Sequence, residues 1–253
     1  MNIAELSIKQ IEALFASGEI TDEMVEALRK DSRAAAGRLV KRYERQQKEI
    51  QRIEAMYRYE KEARNEGHSN IAGVDEAGRG PLAGPVSVAA VILPDGLIIP
   101  KINDSKKLSE KVRNELYDEI MAKAISVRQV FVDERTIDRV NILQATMNGM
   151  YEAIFALDPQ PDKVLLDAVR LENLPMASLS LIKGDAKSAT IAAASVIAKV
   201  ARDRLMDEYD RKYPEYGFGE HKGYGTASHI EAIKKYGPSP IHRRSFEPIK
   251  SMI

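Results

Sequence analysis

The spacing of apolar positions changes character near residue 70. Before it, hydrophobic residues recur every three or four positions. Ile8, Ile11, Leu14 and Phe15 make one apolar face that Gly18 can end, and Thr21 or Asp22 can cap a second short helix through Met24, Val25 and Leu28. After Ser32, the residues Leu39, Tyr43, Ile50, Ile53 and Tyr57 fall at three-, four- and seven-residue spacing, the stripe of one long helix. Asn65, Gly67 and Asn70 then supply a linker. Beyond it, short β-branched runs alternate with helical ones. Residues 71–74, 86–93, 125–132, 163–166 and 179–182 read as strands, and an apolar run at 97–102 follows the Asp95-Gly96 turn. Helices are expected from Ser109 through Ile120, over 137–157, over 188–212 and over 226–236, the last stopped by Gly237-Pro238. Residues 213–225 read as a Gly/Tyr/Pro loop.

Strands alternating with helices imply a mixed or parallel sheet with helices packed on it. The expected organisation is therefore α/β: a helical N-terminal extension over 1–70 and an α/β domain over 71–253 that ends in a helical segment. With 253 residues and 44% hydrophobic content the chain can bury a real core, while no run approaches the ~20 apolar residues of a membrane span. No membrane partner is expected. The N-terminus lacks a basic stretch followed by an apolar one, so the cytoplasm is the default location. The absence of cysteine excludes disulfides, thiolate metal sites and a thiol nucleophile. Net charge is zero, from 38 basic and 38 acidic residues, so any affinity for phosphate must come from local patches. One such stripe is Arg38, Lys41, Arg45, Lys48 and Arg52, but residues 1–70 balance 13 basic with 13 acidic side chains. It reads as a solvated face with i,i+4 pairs, or else as a contact to a duplex backbone.

Candidate chemistry concentrates where strands end. Asp75 and Glu76 close the first apolar run, ahead of the turn Gly78-Arg79-Gly80. Adjacent acids at the end of a buried strand repel one another unless a cation joins them, and carboxylate oxygens suit Mg²⁺ or Mn²⁺. Otherwise the two acids sit exposed on a hairpin. The glycine turn would let backbone N–H groups and one guanidinium approach a phosphate. Asp167 ends the run Val164-Leu165-Leu166, and Asp185 precedes an Ala-rich helix that it could instead cap. Together these acids could bring four carboxylates to one edge, an arrangement that suits two-metal phosphodiester hydrolysis. His68, His221, His229 and His242 show no ligand spacing with one another, and neither Ser87 nor Ser105 has a histidine near it in sequence.

The ordered set Val74-Asp75-Glu76-Ala77-Gly78-Arg79-Gly80-Pro81, Asn103-Asp104-Ser105-Lys106-Lys107-Leu108, Leu165-Leu166-Asp167-Ala168, Lys183-Gly184-Asp185-Ala186-Lys187-Ser188 and Ala193-Ala194-Ser195-Val196-Ile197-Ala198-Lys199-Val200 resembles bacterial type 2 ribonuclease H, ribonuclease HII. The resemblance covers about 71–246, and the first ~70 residues resemble the helical extension of some bacterial members. It implies a ribonuclease H-like fold and endonucleolytic cutting of RNA in RNA–DNA hybrids. It also implies incision 5′ to a single ribonucleotide in duplex DNA, leaving 3′-hydroxyl and 5′-phosphate ends. Asp75, Glu76, Asp167 and Asp185 then match the family's catalytic and metal-holding acids for two Mg²⁺ or Mn²⁺ ions, with Asp75 bridging both. Asp203 is the alternative fourth acid, although ion pairing with Arg202 and Arg204 accounts for it more simply.

Gly78, Arg79 and Gly80 match the turn that contacts the 2′-hydroxyl, and Tyr224 the tyrosine that stacks on the next deoxyribose. Lys106, Lys107, Lys183 and Lys187 are candidate phosphate contacts or plain surface lysines. Ser195 and Lys199 are expected to support rather than catalyse. The run 241–246 either folds back to touch the duplex or stays solvated. A monomer is expected, with hybrids and ribonucleotide-containing DNA as partners. The competing readings are a type 3 ribonuclease H and a non-catalytic hybrid-binding protein.

Overall fold

The computed structural model describes residues 3–253, and the chain divides into two compact units at Ile53–Glu54, within a long helix. The first unit is helical. A capping box closes the start of α1 (Ile8–Ser17): the Ser7 hydroxyl accepts from the Gln10 N–H, and the Gln10 carboxamide accepts from the Ser7 N–H. Gly18, at φ +75°, ends this helix as its composition predicts. Thr21, rather than Asp22, caps α2 (Asp22–Arg29). Ile11, Val25, Leu28, Leu39 and Val40 then bury together with the beginning of α3 (Ala34–Met56).

The second unit is built on a five-stranded sheet. Its strands are β1 (Ile71–Ala77), β2 (Val86–Ile92), β3 (Ser126–Val132), β4 (Lys163–Asp167) and β5 (Ala177–Leu181), ordered β3-β2-β1-β4-β5. The β1–β2 and β2–β3 pairs are antiparallel, whereas β1–β4 and β4–β5 are parallel. The expected mixed sheet is therefore present. Alternation along β1 divides its residues between two cores. Ala72 and Val74 pack with Met150, Ala153 and Ile154 of α7 (Ile142–Phe155), whereas Ile71 packs with Leu165 and Ile191 on the face covered by α8 (Ala189–Lys212). Gly73 lies on that second face, where a Cβ would stand 2.1 Å from the Thr190 carbonyl carbon. Only hydrogen fits there, and the axis of α8 approaches β1 accordingly.

Two expectations need correction. The helix expected over 137–157 is two helices, α6 (Glu134–Val140) and α7, because Asn141 takes φ +69° and its side chain caps the second through the Gln144 N–H. With ψ at 165° that backbone lies outside the helical regions, so no helix continues through it. The loop at 213–225 contains a single helical turn, α9 (Phe218–His221). Between these elements run α4 (Arg58–Asn65), α5 (Glu110–Lys123) and α10 (Ala227–Tyr236). Among the described residues no helix is long and apolar enough to cross a membrane.

Candidate active site

Register brings the acids together. Val74 pairs with Leu166 across the parallel β1–β4 ladder, so Asp75 and Asp167 follow at neighbouring strand ends, where open α/β sheets place their ligands. Asp167 pairs with Leu181 of β5, and the chain then turns so that Asp185 reaches the same place from a short 3₁₀ turn. Asp75, Asp167 and Asp185 each offer an oxygen, and all of these oxygens lie within 4.8 Å of one another. The Gly184 N–H holds Asp167 by donating to its Oδ1 at 2.6 Å. The start of α8 is held from α4: Glu60 Oε1 accepts from the Ser188 hydroxyl at 2.7 Å, the Thr190 N–H at 3.0 Å and the Thr190 hydroxyl at 2.8 Å.

The electrostatics of the cluster are those of crowded, desolvated charge. Burial pushes the Asp75 carboxyl well above its usual range, and Glu76 and Asp167 push it further; a hydrogen bond from Ser195 and one from the Glu76 N–H oppose this. Burial likewise raises Asp185, helped by the neighbouring Asp104 and Asp167. Glu76 is raised by burial and countered by Arg79, whose guanidinium lies 3.3 Å from its Oε1. The other oxygen, Oε2, is buried with no hydrogen-bond partner. Hard oxygen donors, mutual repulsion and one orphaned carboxylate oxygen together fit a divalent cation.

Beside the acids lies a cavity of about 420 Å³ lined by Glu76, the Gly78-Arg79-Gly80 turn, Lys106, Lys199 and Tyr224, among others. A Cβ on Gly80 would stand 3.7 Å from the Tyr224 ring. Gly78 takes φ +91° with its Cα against Arg202, whose Nε would lie 2.0 Å from any Cβ there. Lys107 and Lys187 lie outside the lining of this cavity, and Lys107 stands 3.9 Å from Asp104. Asp203 is held by Lys199 at 2.7 Å and Arg113 at 3.7 Å, so an ion pair does account for it, though with partners other than the expected Arg202 and Arg204.

Several groups at the site escaped the sequence reading. Asp104 reaches Asp185 although 81 positions separate them in the chain. Ser105 Oγ lies 2.9 Å from Ser195 Oγ, so Ser195, which donates to Asp75, is itself positioned. The run 241–246 enters the fold in part: Ile241, His242 and Arg243 are buried, while Arg244 and Ser245 stay exposed. Arg243 is buried, donating to the carbonyls of Gly78 at 2.6 Å, Arg79 at 2.8 Å and Gly84 at 2.9 Å. Arg202 does the same for Ala83, Pro85 and Lys222. Arg243 thus acts on the backbone of the turn itself, and Arg202 on the residues that follow it and on Lys222. An Asp just ahead of Ser-Lys-Lys was the one signal in sequence for Asp104; nothing local marks an arginine as buried.

A mixed sheet that gathers carboxylates at parallel strand ends, beside a glycine turn backed by arginines, is the frame of a metal-dependent nuclease. Residues 72–249 match the family ribonuclease HII, and residues 7–64 match the ribonuclease HII N-terminal domain. The chain belongs to the ribonuclease HII family. It is 49% identical over 256 residues to ribonuclease HII of Enterococcus faecalis, covering 99% of this chain and 100% of that one. It is 58% identical over 199 residues to that of Ruminiclostridium cellulolyticum, covering 79% and 78%. Among solved structures, ribonuclease H2 from Pyrococcus horikoshii superposes with a TM-score of 0.64 at 27% identity, covering 73% of this chain and 97% of that one. The fold is ribonuclease H-like, and the chain is a metal-dependent endoribonuclease of the class that acts on RNA–DNA hybrids.

Proposed function

We propose that the chain cuts the RNA strand of RNA–DNA hybrids and also incises duplex DNA 5′ to a single embedded ribonucleotide. The observation that carries this reading is the meeting of Asp75, Asp167 and Asp185 within 4.8 Å beside the cavity of the Gly78-Arg79-Gly80 turn and Tyr224. Asp75, Glu76, Asp167 and Asp185 would hold the cations, with Mg²⁺ or Mn²⁺ the ions their oxygens suit. Two such ions, when bound, lower the pKa of water and stabilise charge on the leaving oxygen. Hydrolysis adds a water oxygen to phosphorus and breaks the P–O3′ bond, leaving 3′-hydroxyl and 5′-phosphate ends.

The protein's own part is to place the scissile phosphate. Gly78 and Gly80 let the backbone come close to the ribose 2′-hydroxyl, which distinguishes RNA from DNA. Arg79 and Lys106 would meet phosphate, a reading supported by the half-exposure of Arg79 and by the presence of both in the lining of the same cavity. Tyr224, 46% exposed, presents its ring to the deoxyribose beyond the junction. Lys107 and Lys187 are assigned only to outlying phosphates. Residues 1–70 serve as a helical extension to a catalytic domain over 71–253, and the protein acts as a cytoplasmic monomer. The deciding experiment uses a DNA duplex with one ribonucleotide, Mg²⁺, and wild type or Asp75→Asn. One cut 5′ to the ribonucleotide, lost in the variant, supports the reading. Cleavage of long hybrids alone removes the junction specificity, and binding without cleavage removes the assignment of the acids.

A further inference from the structure

Behind Tyr224 the fold collects three histidines that sequence spacing did not join. His221 closes α9, His229 lies near the start of α10, and His242 follows on the segment that bridges to Ala83. Their partners fix the position of each proton, because a carbonyl only accepts and an amide N–H only donates. Tyr224 O lies 2.9 Å from His229 Nδ1, so that nitrogen bears a hydrogen. The Ser239 N–H donates to His242 Nδ1 at 2.8 Å, so His242 carries its hydrogen on Nε2. The two Nε2 atoms stand 3.0 Å apart, and His242 donates to His229. His221 is stacked on His229 at 4.3 Å, donates from Nε2 to Tyr216 O at 2.8 Å and accepts the Gly223 N–H on Nδ1 at 3.2 Å. His229 and His242 satisfy all of these partners only when neutral.

The chain of bonds joins the two substrate-reading parts of the site. At one end, the segment carrying His242 is pinned to the residues just after the turn, the Gly84 N–H donating to Ile241 O at 2.9 Å and the Arg243 N–H to Leu82 O at 2.8 Å, and the Arg243 side chain reaches the turn itself at Gly78 O and Arg79 O. At the other end is the Tyr224 carbonyl. His229 and His242 are 0% and 2% exposed, so water cannot replace the link. We propose that the His229–His242 pair is a positioning device that fixes Tyr224 against the Gly78-Arg79-Gly80 turn and thereby sets preference for the ribonucleotide–deoxyribonucleotide junction. This rests on the reading of Tyr224 given above.

A proton added to His229 Nε2 would face the His242 N–H, and one added to His242 Nδ1 would face the Ser239 N–H. Protonating His229 therefore breaks the link, whereas a proton on His242 Nδ1 displaces the Ser239 N–H and leaves the Ser239 hydroxyl, 2.7 Å away, as its acceptor. The groups packed around the pair are the His221, Tyr216 and Phe218 rings and the Ser239 hydroxyl, while the adjacent Arg243 directs its guanidinium to the turn. Among the described residues no carboxylate pairs with either imidazole. Burial lowers both to about 4, so the link persists at neutral pH.

The test separates position from consequence. His229→Phe keeps the ring shape and loses both bonds; His229→Asn keeps only an N–H toward Tyr224; His242→Gln keeps an N–H toward His229. Deuterium exchange at the amides of 223–226, in the full metal-free chain at pH 7, reads position. Single-turnover cleavage with Mg²⁺ of a one-ribonucleotide duplex and of an RNA–DNA hybrid reads consequence. His229→Phe should speed exchange about ten-fold and cut the junction-to-hybrid ratio of kcat/KM about ten-fold, chiefly through KM, the cost of roughly one buried hydrogen bond. His242→Gln should stay within about three-fold of wild type on both readouts, since it keeps the inter-ring donor. Unchanged exchange in folded His229→Phe or His229→Asn overturns the proposal whatever cleavage does, as does an imidazolium ¹⁵N pattern for either ring at pH 7. Faster exchange with an unchanged ratio overturns the specificity role if Tyr224→Ala changes that ratio. If Tyr224→Ala also leaves it unchanged, the reading of Tyr224 has failed and the positioning stands.

Discussion

Asp75→Asn should make the metal-free protein more stable while abolishing its response to cations. The structure sets the scale. Asp75 shares a 4.8 Å neighbourhood with the oxygens of Asp167 and Asp185. At an effective dielectric of 20, each pair of unit charges at that range repels by about 3.5 kcal/mol. Asp75 is also buried, at 4% exposure, so desolvation adds to the cost. Uptake of a proton by the cluster caps what the folded protein actually bears, and asparagine keeps the shape and one acceptor. We therefore expect a gain of about 2 kcal/mol at pH 7, or roughly 4–8 °C in Tm for a chain of this size. Wild type with Mg²⁺ at one hundred times its Kd should gain about 2.7 kcal/mol by linkage, and the variant almost nothing. Thermal unfolding with and without Mg²⁺, followed by calorimetry, measures both. A variant that is less stable than wild type without metal, yet still stabilised by it, would refute the reasoning, because repulsion would then not govern the cluster.

The close approach at Gly73 predicts that Gly73→Ala costs over about 3 kcal/mol, since its Cβ would meet Thr190 backbone at 2.1 Å; soluble protein with an unchanged urea midpoint would contradict it. Arg243→Lys removes a guanidinium that serves three carbonyls, and one ammonium cannot reach them all. We expect a loss of about 2–4 kcal/mol in urea unfolding and a raised KM on hybrids, whereas an unchanged KM would detach Arg243 from the turn's function. His229 and His242 are held at about 4 by burial against 6.5 in the unfolded chain, so unfolded protein binds more protons between those values. Their contribution to stability is complete above pH 6.5 and is lost as pH falls toward 4. Asp75, Glu76 and Asp185 are raised and act in the opposite sense, so the readout is a difference. The stability of His242→Gln should change less steeply than that of wild type across this window, by up to about 1.4 kcal/mol per pH unit. Parallel curves would show that His242 is not held neutral.

The sheet was legible because its strands are short β-branched runs whose ends coincide with acids. Asp75 and Asp167 are seen to meet once β1 and β4 are known to be parallel, and that follows from the helical crossover between such strands. The break at Asn141 was readable too, as an N-cap residue inside an apolar pattern, but the continuous periodicity from 137 to 157 outweighed it. The histidine chain and the buried arginines were not readable. Most of their partners are backbone atoms of the segments 78–85 and 216–224, and hydrogen bonds to backbone leave no trace in residue types. A basic run such as Arg243-Arg244 resembles any solvated end until its first member is seen to enter the core while the second stays exposed.

The placement of charge in the second unit explains why those arginines are tolerated. A buried guanidinium is costly unless its donors are filled, and Arg202 and Arg243 fill theirs with carbonyls rather than with a direct carboxylate partner. Burial lowers both, Arg243 to about 9, which leaves Arg243 charged at neutral pH, and a guanidinium such as that of Arg202 is not deprotonated in proteins. Each therefore retains a positive charge beside the turn; Arg243 occupies the carbonyls of Gly78 and Arg79, while Arg202, which also lines the cavity, holds the carbonyls of Ala83, Pro85 and Lys222. Only Arg79 of this region lies half-exposed in front, and it already leans on Glu76. Phosphate arriving at the turn thus meets a fixed backbone and a cationic background, while the carboxylates beside it stay repulsive until cations join them. The same separation keeps the acids from being neutralised by the arginines: salt bridges to Arg202 or Arg243 would satisfy the carboxylates and remove their need for metal.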